Sequence, residues 1–466
     1  MEADLPGLRC AARVTIGIVV SPRPLARYRR LSPNFPLAVD NVGLAIMDGT
    51  IRAAGSFLPM CASLGAMTES TVPLAGTISR RVVGLARLLE SIDGRLARVF
   101  VPWAIRHPRH LAAFMRLART HERLEGVRAR ALADGVCVPP FLILSVTSRC
   151  NLRCAGCFAP AAGITAGRPA ARPPFGVEGW HRVVEESAAL GVLGFVIAGG
   201  EPFLLPGITN LFRDFPDRLF VVFTNGTALR DADLRVLRSC RNTAVMVSIE
   251  GDRDLTDERR GCGVFARALD SLDRLRDAGV LTGLSVTIGS ANIDYWSQEG
   301  NIDALLARSG PLALFIDQIP SGESTAGVAT TEEQRSRFHA SIVSYRNRKT
   351  GSAYLVHSPI DEEALGGCLS AGRGIVHVNP TGDVTACPFS VVATHNVNSA
   401  TMREAFASPL FTLIRDNGPL LETANQPCAL LANAAKLESL AKGLGAYRTG
   451  APDATAVPSQ SALAVL

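Results

Sequence analysis

Lysine is almost absent from this chain of 466 residues, which holds only Lys349, Lys436 and Lys442 among its 48 basic residues. Together with the content of alanine, glycine and proline, this bias indicates a GC-rich genome and not selected chemistry. The net charge is +6, because the 48 basic residues stand against 42 acidic ones. A charge this small gives no indication of nucleic-acid binding.

Long apolar runs are missing as well. No stretch reaches the roughly 18 consecutive apolar residues that a membrane-spanning helix needs, so we expect no transmembrane segment. The short run VTIGIVV near the start is followed by arginines, and we do not interpret it as a signal peptide. We therefore expect the protein in the cytoplasm, where its eleven cysteines serve metals or catalysis more often than disulfides.

Changes in pattern divide the chain into five parts. Low periodicity predicts little structure, alternating strands and helices predict a barrel, and a hairpin pattern marks a small α+β domain. The predicted parts are a poorly structured extension over 1–78, a helical region over 79–138, the barrel over 139–358, the small domain over 359–445 and a disordered tail over 446–466.

The helical region combines an apolar stripe with many arginines. Twelve arginines lie between positions 80 and 130, so a basic groove for an anionic partner is an alternative to a solvated helical face. The predicted buried stripe, at helical spacing, consists of Leu111, Phe114, Met115 and Ala118.

Six strand-like runs alternate with helical patterns in the middle of the chain. This alternation predicts an α/β fold, a partial (βα)6 barrel of the TIM type. Right-handed crossovers place the loops after the strands on one face, where we expect the chemistry. The six runs cover 141–147, 194–200, 219–226, 243–251, 282–289 and 312–320.

Three cysteines follow the first of these strands. The stretch SVTSRCNLRCAGCFAP holds Cys150, Cys154 and Cys157 within eight positions. Random placement of the cysteines would give only about 0.006 such triads. A zinc knuckle normally needs four ligands, and no nearby histidine or fourth cysteine completes one. Three thiolates on a tight loop suit a [4Fe-4S] cluster with one iron left open.

The segment CNLRCAGC resembles the signature of the radical S-adenosylmethionine (radical SAM) superfamily. The resemblance implies that the amino and carboxylate groups of SAM bind the open iron. It also implies that reductive cleavage of SAM yields a 5′-deoxyadenosyl radical, which abstracts hydrogen from a C–H bond. A reducing electron donor such as flavodoxin or ferredoxin is implied in the same way.

The resemblance extends along the barrel. GGEP follows the second strand, TNG the third and SIEG the fourth, and in the family such motifs lie near the cofactor. The glycines would allow a close approach of the backbone, a carboxylate suits the SAM ammonium group, and an arginine suits its carboxylate. The candidate cofactor-binding residues are Gly199, Gly200, Glu201, Asn225, Ser248, Glu250 and Arg260.

A second set of cysteines, Cys368, Cys387 and Cys428, resembles the auxiliary-cluster domain called SPASM or, in its shortened form, Twitch. Gly382 falls in the predicted hairpin turn that would aim Cys387 towards Cys368. A fourth ligand is either absent, supplied by the substrate or contributed by a distant residue. The resemblance implies an auxiliary [4Fe-4S] cluster, with a zinc site or unligated core cysteines as the alternatives.

Cys262 lies in the segment RRGCG, in the loop after the fourth strand. A thiol near a substrate radical can donate hydrogen, because its S–H bond is weaker than the C–H bond that it restores. Cys262 is therefore the candidate catalytic residue. The alternative is a small buried residue that fills the core.

These features predict an enzyme that abstracts hydrogen from a metabolite, for example a sugar or another polyol. Donation by Cys262 would give epimerisation, whereas transfer of an electron to the auxiliary cluster would give dehydrogenation. The alternative substrate is a ribosomally made peptide, although the winged-helix domain typical of such enzymes is not evident in residues 1–135. A non-catalytic metal-binding protein is a remote alternative.

Overall fold

The computed structural model describes two compact units, one of residues 20–87 and one of residues 1–19 and 88–466. The described residues are 44–47, 50–53, 99, 103, 105–161, 164, 173–319, 329–348, 353–423 and 426–449.

The smaller unit contains an antiparallel hairpin of β1 (Leu44–Met47) and β2 (Thr50–Ala53). The hairpin lies within the extension predicted over 1–78, the rest of which is outside the described residues. Its sequence signal is the pair Asp48 and Gly49 between the two strands, since Asp-Gly favours a two-residue turn.

The described part of the larger unit contains one sheet of eleven strands, in the order β13-β12-β11-β10-β3-β4-β5-β6-β7-β8-β9. The pairs from β10 through β3 to β9 are parallel, and β11, β12 and β13 extend the sheet in antiparallel fashion. The strands are β3 (Phe141–Ser145), β4 (Gly194–Ala198), β5 (Leu219–Thr224), β6 (Thr243–Ser248), β7 (Leu281–Ile288), β8 (Leu312–Asp317), β9 (Tyr354–Ser358), β10 (Ile375–Val378), β11 (Asp383–Thr385), β12 (Val392–Asn396) and β13 (Tyr447–Arg448).

Helices connect the parallel strands, and the described residues also form four short 3-10 helices. The helices are α1 (Pro108–Ala133), α2 (Phe158–Ala161), α3 (Val177–Leu190), α4 (Ile208–Asp214), α5 (Asp231–Leu237), α6 (Arg253–Arg260), α7 (Val264–Asp277), α8 (Ile293–Trp296), α9 (Glu299–Ser309), α10 (Glu332–Asn347), α11 (Met402–Phe406), α12 (Pro409–Asp416), α13 (Ala429–Ala432) and α14 (Ala434–Ala441). The 3-10 helices are Pro202–Leu204, Ile360–Leu365, Gly418–Leu420 and Lys442–Leu444. None of the described helices is long and apolar enough to cross a membrane.

Alternate side chains of the strands pack beneath the helices. Phe220 of β5 contacts Phe212 of α4, and Phe315 of β8 contacts Phe338 of α10 with ring centroids 5.4 Å apart. Their neighbours in sequence point to the opposite face and are half-buried, because successive side chains of a strand alternate. We call this opposite face of β3 to β9 the inner face.

The predicted partial barrel is confirmed, since β3 to β8 coincide with the six predicted runs, with β7 beginning one residue earlier than its run. β9 was missed, because its five residues are followed by a 3-10 helix and not by an amphipathic helix. The predicted C-terminal hairpin is also present as β10 and β11, with Gly382 at φ +90° in its turn. Because β10 pairs with β3, the tail continues the barrel sheet at the strand that leads to the first cysteines.

The stripe predicted for α1 was wrong in register. Its buried residues are His110, Ala113, Thr120, Leu124 and Ala131, whereas Leu111 is exposed. The Nε2 atom of His110 lies 2.8 Å from the carbonyl oxygen of Gly279, and this polar contact turns the helix relative to the apolar pattern. The arginines on its solvated face are Arg109, Arg116, Arg119, Arg123 and Arg130.

Candidate active site

The loop after β3 carries the first three cysteines at the carboxyl edge of the sheet. Cys150 is exposed, and Cys154 and Cys157 are half-buried. The loop is bonded to the segments that follow two other strands. The Gly200 N–H donates to the Thr147 carbonyl at 2.8 Å after β4, and the Ala155 N–H donates to the carbonyl of Arg259 at 2.8 Å after β6. Three strands therefore fix the position of the thiols.

The two glycines of GGEP allow this contact. A Cβ atom on Gly199, whose φ is +125°, would lie 2.7 Å from the carbonyl oxygen of Thr147. A Cβ atom on Gly200 would lie 2.1 Å from the carbonyl oxygen of Arg149. The two glycines therefore allow the backbone after β4 to pack directly against the cysteine loop.

Glu201 is buried beneath this contact. Its carboxylate accepts hydrogen bonds from the Thr224 hydroxyl at 2.8 Å and from the N–H groups of Asn225 at 2.8 Å and Phe203 at 3.2 Å. Burial raises the pKa of Glu201, although these three hydrogen bonds act to lower it. Burial also raises the pKa of Cys150, and the charge of Glu201 adds to that rise, so the carboxylate lies near this thiol.

Asn225 is connected to the cysteine loop by an amide pair. Its Nδ2 donates to Oδ1 of Asn151 at 3.0 Å, and Nδ2 of Asn151 donates to the hydroxyl of Thr227 at 2.8 Å. Asn151 was not among the predicted site residues, although its polar side chain comes directly after Cys150 inside the cysteine motif.

Glu250 binds two arginines of α6. Arg259 Nη1 lies 2.5 Å from Glu250 Oε1, and Arg260 Nε lies 2.8 Å from the same oxygen. Burial alone would raise the pKa of Glu250, but the charges of Arg260 and Arg259 outweigh it and lower that pKa. Burial raises the pKa of Cys154, and the same two charges oppose that rise. The pair therefore lies beside the cysteine loop.

The structure adds Arg259 to the predicted set, in which only Arg260 appeared. Its buried Nε has no hydrogen-bond partner among the described residues. Ser248 is half-buried at the carboxyl end of β6, on the inner face and paired with Ser285.

Cys262 is exposed between α6 and α7, so the alternative of a buried residue that fills the core was wrong. Its neighbours Gly261 and Gly263 have φ values of +109° and +76°, which favour glycine. The Asp257 carboxylate accepts from the Gly263 N–H at 2.8 Å and fixes the turn. The segment lies directly after Arg259 and Arg260.

The second set of cysteines comes together from three separate segments. Cys368 follows the 3-10 helix Ile360–Leu365, Cys387 follows β11, and Cys428 precedes α13. After burial, the charge of Cys428 and that of Cys368 further raise the pKa of Cys387. Burial raises the pKa of Cys428 to about 12, and Cys368 contributes to this rise. The three thiols are therefore neighbours.

Backbone N–H groups face these sulfur atoms and lower the pKa that burial raises. The donors are Ser370 for Cys368, Phe389 and Ser390 for Cys387, and Leu430 and Leu431 for Cys428.

The surroundings of the second set fit a cluster. Buried thiolates need positive charge, and irons coordinated by them would supply it. The buried hydroxyls of Ser390 and Thr423 have no partner among the described residues, and Ser390 comes three residues after Cys387. Such donors suit the sulfur atoms of an iron-sulfur cluster. Among the described residues, no three His, Cys, Asp or Glu side chains are arranged to hold a single metal ion.

Two contacts join the segments that carry the two sets. The ring of Phe158, next to Cys157, lies 4.8 Å from the ring of Phe389, which follows Cys387 by two residues. The two sets of cysteines therefore flank one region at the end of the barrel.

Buried His377 provides the second contact. Its Nε2 lies 2.8 Å from the Ser145 hydroxyl and its Nδ1 lies 2.8 Å from the Thr385 hydroxyl, which donates to the Cys387 carbonyl at 3.0 Å. Because Thr385 uses its hydrogen there, it accepts from Nδ1–H, and Ser145 then donates to Nε2. Burial lowers the pKa of His377 to about 3, in agreement with a neutral ring.

Residues 144–297 match the family model of the Radical SAM superfamily. Sporulation killing factor maturation protein SkfB of Bacillus subtilis (strain 168) is 30% identical over 181 residues, which cover 37% of this chain and 42% of that protein. Mycofactocin maturase MftC of Mycobacterium tuberculosis (strain ATCC 25618 / H37Rv) is 28% identical over 269 residues, which cover 55% of this chain and 66% of that protein.

Among solved structures, Streptococcus suis SuiB bound to precursor peptide SuiA matches with a TM-score of 0.52 and 16% identity. The match covers 65% of this chain and 71% of that chain, and it shows a common fold. The chain spans less than half of SkfB and about two thirds of MftC.

Proposed function

We propose that this chain, a radical SAM protein, modifies a ribosomally made peptide in the cytoplasm, with electrons from a donor such as flavodoxin or ferredoxin. The names of SkfB and MftC identify them as a maturation protein and a maturase, and SuiB was solved with a precursor peptide. These relatives support the peptide substrate better than a sugar or another polyol. The proposed cofactors are a [4Fe-4S] cluster and SAM, which the match to the Radical SAM superfamily model supports, and an auxiliary cluster on the second set of cysteines.

Cys150, Cys154 and Cys157 would hold the cluster that binds SAM. When bound, this cluster and SAM supply a 5′-deoxyadenosyl radical that abstracts a hydrogen atom from the substrate. Arg259 and Arg260 offer positive charge for the carboxylate of SAM, and the unpartnered Nε of Arg259 is a donor ready for it. Glu201 and Asn225 hold the loops after β4 and β5 against the cysteine loop.

The inner face of the barrel is the observation that carries the substrate class. Most of its half-buried, accessible side chains are apolar, and its half-buried hydroxyls lie at the carboxyl ends of β6, β7 and β9. Along the apolar positions a polyol would leave its hydroxyl groups without partners, whereas an apolar peptide side chain would not. The half-buried apolar residues of the inner face include Ile143, Val196, Val221, Phe223, Leu314 and Ile316.

The fate of the substrate radical depends on Cys262 and the auxiliary cluster. If Cys262 donates hydrogen, its S–H bond breaks, a C–H bond forms and the product keeps its mass, which is epimerisation. The sulfur radical left on Cys262 then takes one electron from the electron donor and one proton from solvent, which restores the thiol. If the auxiliary cluster accepts an electron and a base takes a proton, the product has lost two hydrogen atoms. The exposed thiol of Cys262 supports the first outcome.

Action on a small metabolite is a second candidate. Side-chain hydroxyls of Ser248, Thr287 and Ser358 lie at the carboxyl ends of β6, β7 and β9 on the inner face. They could hydrogen-bond a sugar close to the cysteine loop.

Mass spectrometry of a reconstituted reaction tests the proposal. The full chain, SAM and a reductant are incubated with the precursor peptides encoded near its gene, and with sugars in parallel. We expect 5′-deoxyadenosine together with a peptide whose mass or α-carbon configuration has changed, and neither product with Cys154→Ala. Conversion of a sugar while every peptide stays unchanged would overturn the peptide proposal.

A further inference from the structure

We propose that the carboxylate of Glu362 is the fourth protein ligand of the auxiliary cluster on Cys368, Cys387 and Cys428. The inference rests on the auxiliary cluster of the proposed function and adds a residue that the cysteine pattern does not contain.

Glu362 lies in the 3-10 helix that precedes Cys368, and its side chain folds back onto that cysteine. Its Oε2 accepts the N–H of Leu369 at 2.9 Å, which is the peptide group directly after Cys368. Its Oε1 accepts the hydroxyl of Ser358 at 3.0 Å. The carboxylate therefore lies against the peptide group that joins Cys368 to Leu369.

The backbone between Glu362 and Cys368 enforces this position. Gly366 and Gly367 have φ values of +83° and +94°. A Cβ atom on Gly367 would lie 2.2 Å from the carbonyl oxygen of Leu421, to which the Cys368 N–H donates at 2.8 Å. The two glycines thus let the chain turn back on itself, and they keep the carboxylate beside the thiol.

The carboxylate of Glu362 has no direct cationic partner among the described residues, unlike the carboxylates of Asp317 and Asp361. Asp317 binds Arg335 at 2.9 Å, and Asp361 binds Arg346. Its carboxylate accepts from neutral groups of the described residues, the Ser358 hydroxyl and the Leu369 N–H.

Arg373 is the nearby guanidinium, and it donates to the carbonyl oxygens of Leu365, Gly366 and Cys368. The guanidinium of Arg373 therefore uses its donors on backbone carbonyl groups and makes no direct ion pair with the carboxylate of Glu362. The positive charge of iron would balance the negative charges of the thiolates and the carboxylate. The deprotonated carboxylate would bind by donating an electron pair to iron, which involves no redox change. The buried hydroxyl of Ser390, three residues after Cys387, has no partner among the described residues and is available to such a cluster.

The competing interpretation is that Glu362 only stabilises the turn through Leu369. The two interpretations differ in the fate of the fourth iron, which would have no protein ligand in the competing case. An iron without a protein ligand is lost first on mild oxidation and leaves a three-iron cluster.

The experiment uses the full chain with Cys150, Cys154 and Cys157 changed to Ala, so that only auxiliary iron is measured. Glu362→Ala and Glu362→Cys are made in this parent, with Glu363→Ala as the control, because Glu363 is an exposed neighbour in the same 3-10 helix. Iron content, Mössbauer spectra and electron paramagnetic resonance after mild oxidation are compared.

We expect the parent and Glu363→Ala to keep about four irons per chain after oxidation. Glu362→Ala should fall to about three and show a three-iron signal. Glu362→Cys should restore the fourth iron and replace its oxygen-ligated Mössbauer component with a sulfur-ligated one. Recovery of the fourth iron in Glu362→Cys would also show that Glu362→Ala does not lose iron through unfolding.

Two results would overturn the inference. Identical spectra and iron content for the parent and Glu362→Ala would make Glu362 a structural residue. If the parent bound no iron, the second set of cysteines would hold no cluster and Glu362 could not be its ligand. Neither result affects the peptide assay on the wild-type chain, so failure of this inference and failure of the proposed function are distinguishable.

Discussion

Substitution of Gly200 by alanine is expected to displace the cysteine loop and to reduce SAM cleavage. The added Cβ would lie 2.1 Å from the carbonyl oxygen and 2.6 Å from the carbonyl carbon of Arg149, and 3.1 Å from the N atom of Cys150. Ordinary contact begins at 3.4 Å, so the backbone of the loop must move by about 1.3 Å, the difference between 3.4 and 2.1 Å. The neighbour is backbone, which cannot rotate away as a flexible side chain can.

Misplacement by about 1 Å can cost about 10²-fold in rate, and overpacking costs about 1–3 kcal/mol in stability. The assay is 5′-deoxyadenosine formation per reconstituted cluster, with thermal unfolding measured in parallel. The matched control is Gly300→Ala, because a Cβ on Gly300 in α9 meets nothing within 4 Å, and it should retain wild-type activity. Wild-type activity in Gly200→Ala would refute the inference that the glycine is required for packing against the cysteine loop.

Three further predictions follow from buried groups and from the exposed thiol. Glu250→Ala leaves Arg259 and Arg260 buried without their partner, so we expect the free energy of unfolding to fall by about 3–5 kcal/mol in urea titrations. Unchanged stability would contradict this expectation. His377 has a pKa of about 3 in the folded chain, so it stabilises the fold above pH 6.5, and this contribution is lost as the pH falls. Between pH 7.5 and pH 5.5 the free energy of unfolding of the wild type should fall by about 1.4 kcal/mol more than that of His377→Gln. Equal decreases in the two proteins would exclude a neutral buried ring. Cys262→Ser should still form 5′-deoxyadenosine but no epimerised product by chiral amino-acid analysis, whereas unchanged product would exclude hydrogen donation.

The repeating parts of the fold could be predicted from the sequence. The strands β3 to β8 are apolar and alternate with amphipathic helices, so each has a pattern of its own. The cysteine motif and GGEP could be placed at the same edge, because all loops after parallel strands share one face. The packing of Gly200 against Arg149 could not be predicted, since it depends on how two loops meet.

Elements that depend on single contacts were missed or misplaced. The hydrogen bond between His110 and Gly279 sets the rotation of α1, and no periodic pattern contains it. Arg259 and Arg260 are adjacent, and the sequence could not indicate that both reach Glu250 from the last turn of α6. Glu362 lies six positions before Cys368, outside any cysteine spacing, and only the turn at the two glycines brings it to the thiols.

The most direct test of the two-cluster account is the iron and sulfide content of the full chain after anaerobic reconstitution. The wild type is compared with the variant in which Cys150, Cys154 and Cys157 are all alanine. We expect about eight irons per wild-type chain and about four in the variant, with matching sulfide. About four irons falling to none would contradict the account, because the cysteines of the tail would then hold no iron-sulfur cluster.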